Sequence, residues 1–416
     1  MKKKNIKESN DNNLVNGGKN NKNFTTSEVI VLILTTFIVG LVFGKIIVSK
    51  KNAYTFTKTN DQYINKFIKN YKYIVDNYYK ELDKDQLINN AISGMMQSLD
   101  DPYSVYINEE ESNNFNITLD GSYKGFGIQI QKNEENGYMV ITSIFKNSPA
   151  EISGLKVGDQ IISIDNVESK DLSVSDFSSN IRNSSNKTFN LKVLRDGDEI
   201  DVTVNKELVV LDSVASKMLE IDKKNVGYIY ISIFANNTYS QFKKQLEELE
   251  SKNIEYLIID VRSNTGGHLT SVTSILDLFI NSNQIMYQFE QNNKIKPIYG
   301  NGKKNKKYEI VLLANEMSAS ASEVLIAGLK ENFGCKLIGK KTYGKGTVQE
   351  MVNLSDGNQY KITVKKWLTP KGNWVNDTEG IMPDIEIDLE KEYYELGDES
   401  ADNQLNAAID YIRKKI

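Results

Sequence analysis

The stretch that decides the fold is residues 147–166, which read NSPAEISGLKVGDQIISIDN. Pro149 suits the start of a short helix, because its backbone angle is already helical and its missing N–H would have no partner in the first turn. Gly154 suits the end of that helix, and Gly158 with Asp159 suits a tight turn. The residues that follow, QIISI, predict a strand.

This stretch lies within a β-rich region that runs from about residue 121 to 207. Short apolar runs divided by glycine and asparagine predict strands at 128–130, 139–144, 160–164, 189–194 and 200–204. The first of these strands is opened by GFGI, residues 125–128. Glycine lets successive backbone amides point at one ligand atom. The spacing predicts a compact module with a ligand-binding loop, although GFGI alone is more typical of a plain β-turn.

The combination of GFGI with the SPA…GL…GD pattern resembles a PDZ domain. The resemblance implies that an extended peptide adds to the edge of the sheet. It also implies a carboxylate-binding loop formed by Gly125, Phe126, Gly127 and Ile128, in which the amides of the last three residues hold the peptide's C-terminus.

From about residue 208 onward, predicted strands alternate with predicted helices, which is typical of an α/β core. Strands are predicted at 227–233, 256–261 and 310–313, and helices at 242–249, 270–280 and 321–329. Before the β-rich region, apolar residues at helical spacing predict helices over 64–78 and 87–96. Their apolar faces fit either packing on their own domain or contact with a second copy in a homodimer.

The segment NEMSASASE, residues 315–323, directly follows a predicted strand and opens a predicted helix. A serine at such a turn has an exposed hydroxyl close to helix amides, as a nucleophile and its oxyanion require. Serines at helix starts are also common N-caps, and the segment contains several serines. The pattern therefore marks a candidate nucleophile without choosing among the serines.

The segment GKKTYGKGTVQ, residues 339–349, places Lys345 between two glycines. Burial without a carboxylate lowers the pKa of a lysine and makes it a usable general base, whereas most lysines are solvated surface residues. Gly339, Gly344 and Lys345 also match the start of a phosphate-binding P-loop, but Gly346 stands where that loop needs Ser or Thr. The β-branched run TVQEMVNL after Lys345 predicts a strand where a P-loop needs a helix, which makes nucleotide binding the weaker hypothesis.

Residues 1–28 carry mostly lysine, asparagine and glycine, which predicts a disordered tail. Residues 29–48 are predominantly apolar and long enough to cross a bilayer as a helix. A cleaved signal peptide is the alternative, but no small-x-small site closes the run. Lysines clustered at the N-terminus favour a cytoplasmic tail and an extracytoplasmic soluble part, so we expect a single-pass cell-membrane protein.

Composition excludes several classes of function. With 51 Lys+Arg against 55 Asp+Glu, the formal charge of −4 over 416 residues gives no sign of a nucleic-acid partner. The single histidine, His268, cannot build a multi-histidine metal site, and the single cysteine, Cys335, cannot form an internal disulfide. We therefore expect neither a metal nor another cofactor.

Beyond about residue 60 the chain resembles the carboxyl-terminal processing peptidases, also called tail-specific proteases. The motifs that carry the resemblance are the PDZ pattern, SLDDPYSVY (98–106), IIDVRSNTGG (258–267), SASASE (318–323), YGKGTVQ (343–349) and LTPKGNWVNDTEGIMPDIEI (368–387). The resemblance implies an α/β, more broadly α+β multidomain, fold. Its implied parts are a helical region at 55–120, a PDZ domain at 121–207, a ClpP/crotonase-like core at 208–390 and a C-terminal helix at 391–416.

The resemblance also assigns roles to individual residues. The nucleophile falls on Ser320, its general base on Lys345, and a glutamine that holds the lysine on Gln349. The implied oxyanion donors are Ala321 and either Gly266 or Gly267.

Other residues near these motifs carry secondary expectations. Ser318 and Ser322 would then be structural, and Arg182 would link peptide occupancy to the active site unless it is an ordinary surface arginine. His268 as the base is the alternative for the chemistry, although packing near the oxyanion loop suits it better. Ser263 and Thr265 depart from the asparagine and proline that the family often has in its glycine loop, which puts the loop's shape in doubt.

The predicted function is that of a membrane-anchored serine endopeptidase that binds C-terminal tails of proteins or peptides through its PDZ domain and cleaves them through an acyl-enzyme. The alternatives are a P-loop nucleotide-binding protein and an inactive PDZ scaffold. The scaffold leaves the Ser320 and Lys345 motifs without a purpose.

Overall fold

The computed structural model describes residues 61–302, 306–354, 357–391, 393 and 401–416. The predicted tail at 1–28 and the predicted membrane segment at 29–48 lie outside these residues. Within the described ranges, no helix has both the length and the apolar character needed to cross a bilayer.

The chain divides into two compact units at residue 84, and the first unit contains one described helix, α1 (Gln62–Asn77). The Asp61 carboxylate caps it by accepting a hydrogen bond from the backbone N–H of Tyr63. Apolar residues recur along one face of α1, as the sequence predicts, but none of its side chains is buried. Phe67 and Ile74 are among those exposed.

The second unit opens with three elements that precede the β-rich module. They are α2 (Lys84–Gln97), β1 (Val105–Ile107) and α3 (Glu109–Asp120). The helix α3 ends at Gly121, whose left-handed backbone suits a residue without Cβ.

The predicted PDZ module follows α3 and forms its own sheet in the order β3-β4-β5-β7-β8. Its elements are β2 (Ser122–Gly125), β3 (Ile128–Lys132), β4 (Met139–Ile144), α4 (Pro149–Ile152), β5 (Gln160–Ile164), β6 (Val167–Glu168), α5 (Val174–Asn183), β7 (Thr188–Arg195), β8 (Asp198–Asn205) and β9 (Glu207–Val210). Buried and exposed residues alternate along β7 and β8, as expected for a sheet with one face on a core. The strand β3 lies at the edge of this sheet, beside α5.

The remainder forms an α/β core around a sheet in the order β10-β11-β12-β15-β16-β19. Its strands and helices are β10 (Val214–Ile221), β11 (Lys224–Ile231), α6 (Thr238–Glu250), β12 (Tyr256–Asp260), α7 (Leu269–Leu276), β13 (Ile285–Gln291), β14 (Lys294–Tyr299), β15 (Glu309–Ala314), α8 (Ala321–Phe333), β16 (Lys336–Gly339), β17 (Thr347–Asn353), β18 (Gln359–Leu368), β19 (Ile385–Glu386) and α9 (Asn403–Arg413). Parallel pairing joins β11, β12, β15, β16 and β19.

Helices cover both faces of this parallel sheet, so its central strands are buried on both sides. One face packs on α6, α7 and α8, and the other packs on α9. A buried ion network adds to the second contact, because the Arg262 guanidinium joins Asp260, at the end of β12, to Asp402, at the start of α9. A second sheet, β1-β18-β13-β14 with β17 paired to β18, borders the core.

The structure confirms the predicted strands and helices of the described residues, with small changes at their ends. The predicted strand at 227–233 is β11, which starts earlier at Lys224 and ends at Ile231. The predicted helix at 270–280 is α7, which ends at Leu276. TVQEMVN forms β17, the strand that argues against a P-loop.

Candidate active site

Ser320 lies at a sharp turn between β15 and α8, at the carboxyl edge of the parallel sheet. Its φ is +54°, a value that residues with side chains rarely adopt and that costs about 1–3 kcal/mol. The turn is held by the loop after β12. There the carbonyl oxygen of Asn264 accepts from the Ala319 N–H over 3.1 Å and from the Ser322 hydroxyl over 2.8 Å.

The neighbouring serines are buried and bonded to the backbone. The Ser318 hydroxyl donates to the carbonyl oxygen of Val261 over 2.8 Å, and Ser322 donates to Asn264. This bonding is what a structural role requires. Ser320 instead lines a cavity of about 380 Å³.

The glycine pair after β12 packs directly against the serine turn. A Cβ on Gly266 would lie 2.9 Å from the carbonyl oxygen of Ala319 and 3.0 Å from the Ser320 Cβ. A Cβ on Gly267 would lie 2.3 Å from the carbonyl oxygen of Phe234. Both positions have positive φ, at +109° and +131°, so any side chain would displace the loop.

The amides of the two glycines differ in their bonding. The Gly266 N–H donates to the side-chain oxygen of Asn264 over 2.9 Å. By contrast, the Gly267 N–H has no acceptor within the described ranges, and the same holds for the N–H of Ala321 at the first turn of α8. These two amides are therefore the ones left to bind a developing oxyanion near Ser320.

Lys345 stands in a tightly packed loop between β16 and β17. A Cβ on Gly346 would lie 2.3 Å from the indole nitrogen of Trp374, and a Cβ on Gly344 would meet the backbone of Gly380 at 2.8 Å. The Lys345 ammonium lies over the Tyr103 ring, 4.5 Å from its centroid. The loop thus turns the lysine inward, where it lines the same cavity as Ser320.

Burial is the main cause that lowers the pKa of Lys345 to about 8. The charge of Lys361 lowers this pKa further, whereas the charges of Asp101 and Glu323 oppose the shift. A lysine with this pKa is partly neutral near physiological pH. It can therefore accept a proton.

The cavity brings together Ser320, Lys345 and Gln349. In the described part of the chain no hydrogen bond joins Ser320 Oγ to Lys345 Nζ, and Gln349 does not bond to the lysine. The Gln349 amide nitrogen donates to the hydroxyls of Thr347, over 2.9 Å, and Thr363, over 3.0 Å. Its side-chain oxygen remains as the atom that could hold the lysine. Catalytic hydrogen bonds are often formed only once substrate is bound.

Glu323 joins the serine turn to the lysine loop, a role that sequence reasoning missed. Its fully buried carboxylate accepts from the backbone N–H of Ser320 over 2.8 Å and of Lys345 over 2.8 Å. It also accepts from the Gly344 N–H over 2.7 Å and the Thr342 hydroxyl over 2.6 Å. Burial raises the pKa of Glu323. The signal was present in the sequence, because Ser followed three residues later by Glu is a capping-box pattern.

These contacts also bear on the P-loop alternative. In a P-loop, backbone amides cradle phosphates. Here the amides of Gly344 and Lys345 are bound to the Glu323 carboxylate, and the Gly346 amide is bound to Asn376. The loop presents no phosphate cradle.

His268 lines the same cavity and directly follows the glycine pair. Its backbone N–H donates to the carbonyl oxygen of Phe234 over 2.6 Å, which helps to fix the loop. Its buried Nε2, the atom that bonds the serine in a Ser-His-Asp set, has no hydrogen-bond partner within the described ranges.

The predicted peptide site of the PDZ module is a groove of about 170 Å³ beside the edge strand β3. Gly125, Phe126, Gly127 and Ile128 line it together with Arg182 of α5. The structure therefore brings together all the residues predicted for this site.

Tyr123, which sequence reasoning missed, covers the carboxylate-binding loop. Its ring lies so close that a Cβ on Gly125 would be 2.6 Å from it. Burial raises the pKa of the Tyr123 phenol, and the nearby Gly127 backbone amide partly opposes this shift. The phenol therefore lies close to one of the amides expected to hold a peptide carboxylate.

We expect Tyr123→Phe to tighten binding of a free C-terminus about two- to tenfold, because the phenol oxygen near the Gly127 amide no longer competes with the peptide carboxylate for that amide. The measurement is fluorescence anisotropy with a labelled peptide that ends in apolar residues, in a Ser320→Ala background. Tyr138→Phe, elsewhere in the module, is the matched control. Weaker binding by Tyr123→Phe would contradict the prediction and make the phenol a ligand donor.

Comparison with known families gives three matches along the chain. The model described as "Peptidase family S41" matches residues 225–387, and the PDZ domain model matches residues 116–194. The model "Activating protease CtpB N-terminal domain" matches residues 45–111.

Among curated proteins, the chain is 38% identical to the carboxy-terminal processing protease CtpB of Bacillus subtilis, over 81% of this chain and 70% of that protein. It is 35% identical to CtpA of the same organism, over 87% of this chain and 75% of that protein. A probable CtpA-like serine protease of Staphylococcus aureus is 33% identical over 87% of this chain and 73% of its own length.

A PDZ module combined with an α/β core whose carboxyl edge carries the serine turn defines the class of PDZ-containing serine peptidases. The extent and identity of the matches then settle the family: the chain belongs to peptidase family S41. The resemblance to carboxyl-terminal processing peptidases is thereby confirmed, and with it the prediction of an enzyme. The individual domain boundaries and site residues remain predictions.

Proposed function

We propose that this protein is a membrane-anchored serine endopeptidase that recognises the C-terminal tails of protein substrates and cleaves them with a Ser320/Lys345 dyad. The observation that carries the proposal is the shared cavity, in which Ser320 faces a lysine whose pKa is lowered to about 8. A neutral amine beside a serine hydroxyl is a nucleophile with its base.

The reaction starts when neutral Lys345 takes the proton of Ser320 Oγ, which attacks the scissile carbonyl carbon. The amides of Gly267 and Ala321 bind the resulting oxyanion, with Gly266 allowing the close approach of the turn. Collapse breaks the peptide bond, and Lys345 gives its proton to the leaving amine. Water then hydrolyses the acyl-enzyme with Lys345 again as base, while the Gln349 side-chain oxygen orients the amine.

The groove of the PDZ module would bind the C-terminal tail of the substrate. A tail that pairs with the edge strand β3 would place its carboxylate at the amides of Phe126, Gly127 and Ile128. Arg182 lines the same groove, where it could couple binding of a tail to the arrangement of the active site. If it does so, the bound tail must favour the active arrangement over the resting one.

Residues 29–48 would anchor the enzyme as a single-pass membrane protein with the catalytic part outside the cytoplasm. The exposed apolar face of α1 supports a further contact, with a second copy of the chain in a homodimer.

The recognition step is tested with an unfolded reporter that ends in apolar residues and carries either a free or an amidated C-terminus. We expect at least about a tenfold lower kcat/KM for the amidated reporter, because it loses a charge-assisted contact to the loop amides. Equal cleavage of both reporters would overturn the carboxylate-reading role of Gly125 to Ile128. The proteolytic chemistry itself would stand.

A further inference from the structure

A second lysine, Lys361, lines the cavity that holds Ser320 and Lys345. It lies on β18, where its backbone is opposite Met351 of β17 and Val105 of β1. Lys345 lies two residues before the start of β17. The pairing of β17 with β18 therefore brings both lysines to one cavity.

The cavity has two ammonium groups and no carboxylate in its lining. Lys361 has no ion-pair partner within the described ranges. Its ammonium lies 5.2 Å from the centroid of the Phe115 ring, a contact that offsets part of the cost of burying a charge. Burial lowers the pKa of Lys361 as well. A half-buried cation without an anion repels any second cation nearby.

Several charged or titratable groups face Lys345 from the elements around it. They are Lys361 of β18, Asp101 and Tyr103 from the loop before β1, Glu323 of α8, Tyr343 of its own loop and His268 at the start of α7.

The two carboxylates among these groups favour the charged amine, but other donors already occupy their oxygens. Asp101 accepts from the Ser104 hydroxyl, over 2.6 Å, and from the Tyr103 N–H, over 3.0 Å. Glu323 accepts the four bonds described above. Lys361 opposes the charged form of Lys345 more strongly than either acid supports it.

We propose that Lys361 is a positioning residue whose charge adds to burial in keeping Lys345 in its neutral, proton-accepting form. This role rests on the proposed function of Lys345 as the general base. An acidic substrate side chain bound in this part of the cavity would slow cleavage, because it would offset the charge of Lys361 and favour the protonated form of Lys345.

The test is the pH profile of kcat/KM on the reporter for wild type, Lys361→Gln, Lys361→Met and Lys361→Arg. A base must be neutral, so wild-type activity should rise with pH through about 8, the pKa of Lys345. Without the neighbouring charge that pKa rises, so the rise in activity moves to higher pH. For Lys361→Gln and Lys361→Met we expect about a three- to tenfold fall at pH 7, and convergence with wild type by about pH 10.

Lys361→Arg keeps the charge and should keep the wild-type profile. Lys365→Gln is the matched control, since Lys365 lies on the same strand but pairs with Glu350 over 3.0 Å, outside the cavity. Acylation of Ser320 by a fluorophosphonate, followed over the same pH range, gives a second readout of the same titration. Circular dichroism and thermal melting show that each variant is folded.

The outcomes separate this inference from the proposed function. If Lys345→Ala keeps wild-type activity, the dyad itself fails. If Lys345→Ala is inactive while folded Lys361→Gln and Lys361→Met keep the wild-type midpoint, only the role of Lys361 is overturned. A uniform loss at every pH would likewise overturn it, because it would indicate a structural role.

Discussion

Ser320→Ala should abolish cleavage of an unfolded reporter, with kcat/KM reduced about 10⁴–10⁶-fold, because the acyl-enzyme forms on the hydroxyl that this change removes. The described neighbours cannot substitute for it: Ser318 and Ser322 are buried and donate to backbone carbonyls. Lys345→Ala should cost about 10²–10⁴-fold, the usual contribution of a general base. The measurement is initial-rate kinetics with the soluble portion of the chain.

Matched controls remove the same chemical groups outside the cavity. Ser274 is exposed on α7, where it bonds to the carbonyl oxygen of Thr270, and Lys341 is exposed beside Glu379. Ser274→Ala and Lys341→Ala should cleave at the wild-type rate. Wild-type cleavage by Ser320→Ala would refute the dyad, as would full activity of Lys345→Ala at neutral pH. Thermal melting that matches wild type shows that a loss is chemical.

Much of the fold follows from local sequence signals. The helix start at Pro149 and the turn at Gly158-Asp159 depend on backbone angles that few residues adopt, so the strand and helix positions of the PDZ module could be predicted. The glycine pair 266–267 follows the same rule, because both glycines have positive φ, whereas Ser320 is selected among the serines only by the resemblance to the peptidase family.

The contacts that distinguish the site could not be predicted in this way. Glu323 meets Lys345 only because α8 and the loop before β17 pack together, and Lys361 enters the cavity only through the register of β17 with β18. Tyr123 reaches Gly127 through the fold of the module. Such pairings depend on tertiary packing, which a single sequence does not encode in its spacing.

Glu323→Ala should produce the second large effect, a loss of both stability and activity. Removing the carboxylate leaves four donors without their acceptor: the amides of Ser320, Gly344 and Lys345 and the hydroxyl of Thr342. Each unsatisfied buried donor costs about 1–3 kcal/mol, and partial relaxation should leave a net loss of about 3–5 kcal/mol in the free energy of unfolding. Denaturant unfolding at neutral pH measures it.

Glu323→Gln tests the same contact with less damage to folding. The amide keeps one acceptor oxygen but turns an NH₂ group toward donors, so the serine turn and the lysine loop lose their common anchor. We expect a folded protein with kcat/KM lowered about tenfold or more, since small displacements of a nucleophile from its base are costly. Glu331→Gln, further along α8, is the control and should behave as wild type, because within the described residues the Glu331 carboxylate accepts only from the Lys371 N–H. If both variants at position 323 had the wild-type free energy of unfolding and the wild-type kcat/KM, the prediction would be wrong. The serine turn and the lysine loop would then be held together by a contact other than this carboxylate.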